Sequence, residues 1–114
     1  MNPTARSMRY FKDRGYIVAR VEQRLPIPGM FITLDAFGFG DLLVASPGFG
    51  IALVQSTTFT NLKARQKKAK ALPEFRKWRH SGGKVIFHGW VKRGPRGKRK
   101  TWQLAEDVFD ALKG

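Results

Sequence analysis

The sequence predicts a single-domain α/β protein in which a central mixed β-sheet is flanked by helices. Two apolar, β-prone runs that flank a Pro47-Gly48 turn predict a hairpin. Helix-forming segments precede and follow this hairpin, and a second pair of β-prone runs comes later in the chain. At 114 residues the chain is long enough for one core but not for two, so we expect one domain over residues 1–114.

The elements before the hairpin are a helix, a strand and an irregular segment. Asn2 is a candidate N-cap for a helix that ends at Gly15. The run 16–22 is rich in β-branched residues and predicts a strand with Glu22 at its end. Prolines and a glycine punctuate residues 24–40, which we therefore expect to approach the hairpin irregularly.

The hairpin brings two polar side chains together at its open end. Its strands are predicted over 41–46 and 51–57, and Gly48 is expected at the centre of the turn. In that register Asp41 lies directly opposite Gln55. Side chains paired in this way have Cβ atoms roughly 5 Å apart, close enough to share one metal ion.

The second half continues with two helices and two strands. The helices are predicted over 61–70 and 73–78, and the strands over 84–91 and 101–104, with a basic turn over 93–100 between the strands. Residues 108–112 are expected to form a short helix or an extended tail. The resulting order is α-β-β-β-α-α-β-β, which is typical of one mixed sheet with flanking helices.

The net charge of +14 is concentrated in one part of the chain. Residues 61–100 contain fifteen Lys and Arg residues against the single acid Glu74, and the remaining seven basic and seven acidic residues balance. So uneven a distribution favours a dedicated polyanion surface, with nucleic acid as the partner, over a merely solvated face. No segment pairs a basic face with a long apolar one, which argues against a membrane surface.

The composition excludes several classes of site. Without cysteine the chain has no disulfide, no thiolate zinc site and no cysteine nucleophile. Two histidines, His80 and His88, argue against a histidine-rich metal site, and His88 is interpreted as structural. The apolar span 30–54 is interrupted by acids, proline and glycines, and no secretory h-region is visible. We expect a protein of the cytoplasm that does not enter membranes.

Glu22 at a strand end, Gly40-Asp41 opening a hairpin and Gln55 near its close resemble the PD-(D/E)xK nuclease superfamily. The likeness is greatest to its small Holliday-junction-resolvase-like and phage-type members, and it covers the first half of the chain through the helix at 61–70. It implies a restriction-endonuclease-like core, a cofactor of Mg²⁺ or Mn²⁺, and endonuclease activity on branched or junction DNA. It also implies a homodimer, and host cytoplasm if the protein is phage-encoded.

The resemblance assigns a role to each residue of the pattern. Asp41 would be the central metal ligand, Gln55 would fill the second-ligand position, and Glu22 would complete the metal site. Thr57 stands where the family has its catalytic lysine, and Lys63 on the following helix is the candidate to replace it. Asp35 is interpreted as a loop residue rather than a ligand.

Ten basic side chains are expected to contact nucleic acid through its phosphates. They are Lys63, Arg65, Lys67, Lys68, Lys70, Arg93, Arg96, Lys98, Arg99 and Lys100. Trp78, Trp90 and Trp102 could stack on unpaired bases, although we expect at least two of them to fill the core. The alternatives are a catalytically inactive nucleic-acid-binding module of the same fold and, less favoured, a basic RNA- or ribosome-associated protein.

Overall fold

The computed structural model describes residues 2–113, apart from the side chain of Phe31. Three α-helices, seven strands and one short 3-10 helix, Phe59–Asn61, follow one another along these residues. In chain order they are α1 Pro3–Asp13, β1 Ile17–Arg20, β2 Gln23–Ile27, β3 Met30–Leu34, β4 Leu42–Ser46, β5 Gly50–Thr58, α2 Leu62–Lys70, α3 Pro73–His80, β6 Lys84–Arg93 and β7 Thr101–Phe109.

The central sheet has five strands in the order β1-β4-β5-β6-β7. The β5–β6 pair is parallel and the other three pairs are antiparallel, so the sheet is mixed. A parallel pair needs a crossover connection, and α2 and α3 provide it between β5 and β6. The predicted fold class, a single α/β domain with a mixed sheet and flanking helices, is confirmed.

Each face of the sheet carries its own apolar cluster. α1 covers one face, where Phe11 packs with side chains of β4, β5 and β6. α2 and α3 cover the other face, where apolar side chains of both helices pack against Leu53 and Phe87. The predicted start of α1 is confirmed, because Asn2 Oδ1 accepts a hydrogen bond of 2.8 Å from the Ala5 N–H. Burial of both faces explains why the inner strands contain nearly continuous apolar runs.

The irregular segment predicted over 24–40 is wrong in its first part. β2 and β3 pair as an antiparallel ribbon that is separate from the main sheet. Apolar runs in both strands flank the Pro28-Gly29 turn, where Gly29 takes a positive φ of 82°. The prolines do not prevent pairing, since a ribbon of two strands leaves half of its backbone groups outside the ladder.

The end of the chain also differs from its prediction. β7 continues to Phe109, so Val108 and Phe109 belong to the sheet rather than to a terminal helix or tail. Phe109 packs edge-on against the rings of Phe75 and Phe87, and this burial extends the strand beyond residue 104.

The three tryptophans occupy different environments. Trp78 packs against the core, Trp90 is half-buried and Trp102 is exposed. Trp102 is the most exposed of the three at 43 %, and the Arg6 guanidinium lies over its ring at 3.5 Å from the centroid. Within residues 2–113 no helix has the length and apolar character needed to cross a membrane.

Candidate functional site

Three carboxylates converge beside the open end of the β4–β5 hairpin. Glu22, Asp35 and Asp41 each offer a carboxylate oxygen, and these atoms lie within 4.8 Å of one another. Gln55 adjoins the group, because its Nε2 donates a hydrogen bond of 3.2 Å to Asp35 Oδ2. The four side chains together form what we call the acidic cluster.

Three successive turns of the backbone bring these residues together. Gln23 pairs with Leu34 at the base of the β2–β3 ribbon, so Glu22 and Asp35 occupy the next register position. Ala36 and Gly40 form an isolated bridge, which places Asp35 opposite Asp41 in the same way. Leu42 pairs with Val54, and one position further Asp41 faces Gln55, as the sequence predicts. Cross-strand neighbours of this kind are close enough for their side chains to interact.

Asp41 is the most constrained member of the acidic cluster. It is only 6 % exposed, and its Oδ2 accepts a hydrogen bond of 2.8 Å from the Ser56 N–H. Its own N–H donates to the Val54 carbonyl, and its carbonyl accepts from the Val21 N–H. The backbone of β5 and of the segment after β1 therefore holds Asp41 in place before any ligand binds.

The surroundings of Asp41 disfavour its negative charge. Burial raises the pKa of this carboxyl to about 8, helped by a hydrogen bond with Asp35 and by the charges of Asp35 and Glu22. The Ser56 N–H acts in the opposite direction but does not compensate. Without a bound cation the acidic cluster therefore retains a proton at neutral pH, which a divalent ion would displace.

A cleft of about 570 Å³ is lined both by the carboxylates and by cations of α2. Arg65 and Lys68 of α2 line it together with the three acids. Arg20 lies 3.2 Å from Glu22 and offsets part of the negative charge. A cleft lined by both carboxylates and cations can hold a metal ion together with a phosphate.

The predicted catalytic residues on β5 and α2 are placed differently from one another. Thr57 is buried two positions beyond Gln55, on the same side of the strand. Lys63 is exposed and is not among the described residues that line the cleft. The cations that line the cleft with the acids are instead Arg65 and Lys68, which the sequence assigns only to phosphate contacts.

The sequence-based interpretation of Asp35 as a loop residue misses its place in the acidic cluster. The Pro28-Gly29 turn between two apolar runs is the signal that would have found it. A two-residue turn pairs Ile27 with Met30, and the same register places Asp35 opposite Glu22. Predicting an irregular segment over residues 24–40 excludes paired strands there, and with them this register.

All ten predicted nucleic-acid-binding side chains are exposed. Five lie on α2 and five on β6 or the connection to β7. Lys70 sits over the Phe109 ring and Arg93 over the Phe59 ring, so these two cations also cover apolar surface. Exposed cations on one helix and one connection suit contacts to the phosphates of a polyanion.

A buried polar network lies on the other side of β5 and was not predicted. Ser7 Oγ lies 2.7 Å from Ser56 Oγ and 2.8 Å from His88 Nδ1, and it accepts a hydrogen bond of 3.0 Å from Trp90 Nε1. His88 Nε2 lies 2.7 Å from Glu106 Oε2. We call these five residues the Ser7 network.

One pattern of donors satisfies the whole Ser7 network. With Nε2–H of His88 donating to Glu106, Nδ1 accepts from the Ser7 hydroxyl. The Ser7 oxygen then accepts from Trp90 and from the Ser56 hydroxyl. Ser7 and His88 are completely buried, so the arrangement resembles a nucleophile-base pair in contacts but lacks access for a substrate. Its connection to the acidic cluster is Ser56, whose N–H holds Asp41.

Comparison with known proteins finds no family model, curated protein or solved structure that matches this chain. The function of the site therefore has to follow from the chemistry of its residues.

Proposed function

We propose that this protein is a metal-dependent endonuclease that cleaves DNA, using Mg²⁺ or Mn²⁺ held by the acidic cluster. The observation that carries the proposal is the approach of Glu22, Asp35 and Asp41 to within 4.8 Å in a cleft that α2 lines with Arg65 and Lys68. Three carboxylates held this close repel one another and destabilise the fold, as the raised pKa of Asp41 indicates. Their proximity therefore favours a functional role.

The donor set fits a hard divalent cation. Three carboxylates and the amide oxygen of Gln55 are all oxygen ligands, which Mg²⁺ and Mn²⁺ prefer, and the described chain offers neither thiolate nor imidazole in the cleft. A bound ion would supply an activated water and offset the charge of the phosphate under attack.

The chain's own residues perform the remaining tasks. Asp41 is fixed by the Ser56 N–H and holds the displaceable proton of the cluster. Arg65 and Lys68 supply the positive charge that Thr57 cannot supply, and they would hold the scissile phosphate against its own repulsion from the carboxylates. The basic connection between β6 and β7 extends the phosphate-binding surface beyond the cleft.

The substrate we propose is branched or junction DNA, acted on in the cytoplasm or, for a phage-encoded protein, in the host cytoplasm. The competing proposal is a nucleic-acid-binding module that does not cleave. It is favoured by Thr57 at the position where the resembled nucleases carry lysine, because a hydroxyl cannot offset developing negative charge.

The test is cleavage of labelled duplex, single-stranded and four-way-junction DNA with Mg²⁺, Mn²⁺ or chelator. Wild type should cut only with metal, and Asp41→Asn should not cut while still binding DNA. Asp13→Asn is the matched control, since Asp13 is an exposed acid that lies 3.9 Å from Arg9 on α1 and does not line the cleft. Tight binding without cleavage by any of the three proteins would reject the endonuclease and favour the binding module.

A further inference from the structure

Phe37 has a backbone conformation that disfavours an aromatic residue. Its φ is 55°, and it is the one residue other than glycine with a positive φ in the part of the chain that the structure describes. It shares a turn with Gly38, whose φ is 85°, and the Phe39 N–H donates to the Ala36 carbonyl across this turn. A turn with two positive φ values accepts Asn-Gly most readily, whereas a bulky residue there is strained.

Packing within the fold does not account for Phe37 either. Its ring lies 6.1 Å from the Trp78 ring between centroids, yet the side chain stays 57 % exposed. A phenylalanine that is mostly in water contributes little of the free energy that burial of its ring would supply. Strained residues of this kind persist at binding and catalytic sites, so the chemistry of Phe37 points to contact with a ligand.

The rings of Phe37 and Trp78 line a hollow of about 210 Å³ beside α3, which we call the α3 hollow. Glu74, Lys77 and Ser81 complete its lining. The Trp78 ring is held in place, because its Nε1 donates a hydrogen bond of 2.7 Å to a backbone carbonyl of β6. Sites for drug-sized molecules have volumes of about 300–1,000 Å³, so the α3 hollow suits a single planar ring system.

The α3 hollow adjoins the cleft of the acidic cluster. Phe37 lines the hollow, and the next residue, Gly38, lines the cleft. Cα atoms of consecutive residues are about 3.8 Å apart. The turn also packs against the start of α3, since a Cβ at Gly38 would come within 2.9 Å of Leu72 Cδ1. A ligand in the cleft can therefore extend a neighbouring group past the turn into the hollow.

The two neighbouring sites differ in charge as the two parts of a nucleotide do. The cleft contains the cations Arg65 and Lys68, which suit a phosphate. In the α3 hollow the opposite charges of Glu74 and Lys77 balance, and the aromatic rings provide faces on which a neutral base can stack. A nucleic acid strand therefore matches both sites at once, with its phosphate in the cleft and its base in the hollow.

We propose that the α3 hollow accepts an unpaired nucleobase, which stacks on the Phe37 ring while an adjoining phosphate of the same strand lies in the cleft. The proposal rests on the proposed function, because it needs a DNA strand in the cleft. A base within a duplex is paired and stacked on both faces, and it enters such a site only after it has been unstacked. Bases that are already unpaired avoid that cost, so the substrate should carry an unpaired nucleotide beside the scissile phosphate.

The experiment compares binding to two DNA duplexes in chelator, where no metal-dependent cleavage occurs. One duplex contains a single bulged 2-aminopurine, and the other has the same base paired with thymine. Wild type should bind the bulged duplex about tenfold more tightly and should quench the 2-aminopurine fluorescence by stacking. Phe37→Gly should bind both duplexes equally, without quenching, and should keep the wild-type affinity for the paired duplex because the phosphate contacts remain.

Three further variants separate base stacking from effects on the fold. Phe37→Tyr keeps an aromatic face and should keep the preference for the bulge. Phe59→Ala is the matched control, since Phe59 is 42 % exposed and does not line the α3 hollow, and its preference should equal that of wild type. Glycine adopts a positive φ freely, so Phe37→Gly should unfold at no lower urea concentration than wild type. Phe37→Asn, which also tolerates this conformation, replaces it if the glycine variant does not fold.

The proposal is overturned if wild type binds the two duplexes equally, if Phe37→Gly retains the preference or if Phe59→Ala loses it. A separate cleavage assay with Mg²⁺ distinguishes this result from failure of the proposed function. Cleavage by a wild type that shows no preference for the bulge would reject the base site alone. A preference for the bulge that depends on Phe37, without cleavage, would reject the endonuclease and retain the base site.

Discussion

Asp35 and Asp41 face each other across a tight loop that Ala36 and Gly40 close with two backbone hydrogen bonds of 2.7 and 2.8 Å. Within the loop Phe37 and Gly38 both have positive φ values, of 55° and 85°. Phe37 is an uncommon residue in that region of φ, and such conformations tend to be retained where the surrounding structure needs them. The loop therefore forces two carboxylates together at some cost in backbone and charge energy.

The first prediction concerns the pH dependence of stability. The pKa of Asp41 is about 8 in the folded protein, whereas that of an unperturbed aspartate is 3.8. At pH values between these two, the folded protein therefore binds one more proton than the unfolded protein. The contribution of this group to the free energy of unfolding should therefore be complete below about pH 4, fall as pH rises and be lost above about pH 8. Urea denaturation of metal-free protein between pH 5 and 8 should show a loss of roughly 3 kcal/mol from this group.

The variant Asp41→Asn tests whether Asp41 is the group responsible for this pH dependence. The amide cannot ionise but can still accept from the Ser56 N–H, so the variant should lose most of the pH dependence and be more stable than wild type at pH 8. Asp13→Asn should keep the wild-type profile. An unchanged slope in Asp41→Asn would assign the pH dependence to other groups.

The second prediction tests Asp35 as a metal ligand. Asp35→Asn removes one charged oxygen from the acidic cluster and should weaken Mn²⁺ binding by at least about tenfold, or 1.4 kcal/mol. Titration calorimetry in buffers with different ionisation heats measures both the affinity and the proton that leaves Asp41. Equal Mn²⁺ affinity in Asp35→Asn and Asp13→Asn would exclude Asp35 from the ligand set.

The third prediction compares two pairs of cations on the same helix. Arg65→Ala with Lys68→Ala should lower the cleavage rate at saturating DNA, because these side chains line the cleft. Lys63→Ala with Lys67→Ala removes equal charge from α2 and should weaken DNA binding while sparing the rate at saturation. A larger loss of rate in the second pair would restore Lys63 as the catalytic cation.

The fourth prediction concerns the connection between β6 and β7. Lys98→Gln with Arg99→Gln should weaken DNA binding and flatten the dependence of log affinity on log salt, by about 0.9 for each lost phosphate contact. Arg76→Gln with Lys77→Gln on α3 is the control of equal charge. Identical salt slopes in the two double variants would mean that the connection makes no specific contribution.

The fifth prediction concerns the Ser7 network. Ser7→Ala leaves His88 Nδ1, Trp90 Nε1–H and the Ser56 hydroxyl without their shared partner in a buried site. We expect a loss of about 2–3 kcal/mol in the free energy of unfolding, measured in urea. Ser81→Ala, which removes an exposed hydroxyl bonded to the Lys77 carbonyl, should change stability by less than about 0.5 kcal/mol. Equal losses in the two variants would show that the network adds nothing to stability.

Much of the site can be predicted from the sequence, because it depends on pairing between strands that short turns connect. The Pro47-Gly48 turn sets the β4–β5 register, and that register alone places Asp41 opposite Gln55. The same argument applied to the β2–β3 ribbon would have placed Asp35 opposite Glu22. That register is missed when Pro26 and Pro28 are taken to interrupt the segment, although a ribbon outside the main sheet tolerates them.

By itself the sequence determined the mixed α/β fold, the basic character of residues 61–100 and the pairing of Asp41 with Gln55, since composition, periodicity and turn chemistry are local properties of the chain. Only the tertiary structure decided that Arg65 and Lys68, rather than Lys63, line the cleft, because helix rotation is set by packing against the sheet. It also decided the Ser7 network, in which Ser7 and His88 meet across 81 positions of sequence. Contacts over such separations follow from how the helices and strands pack, which no local pattern encodes.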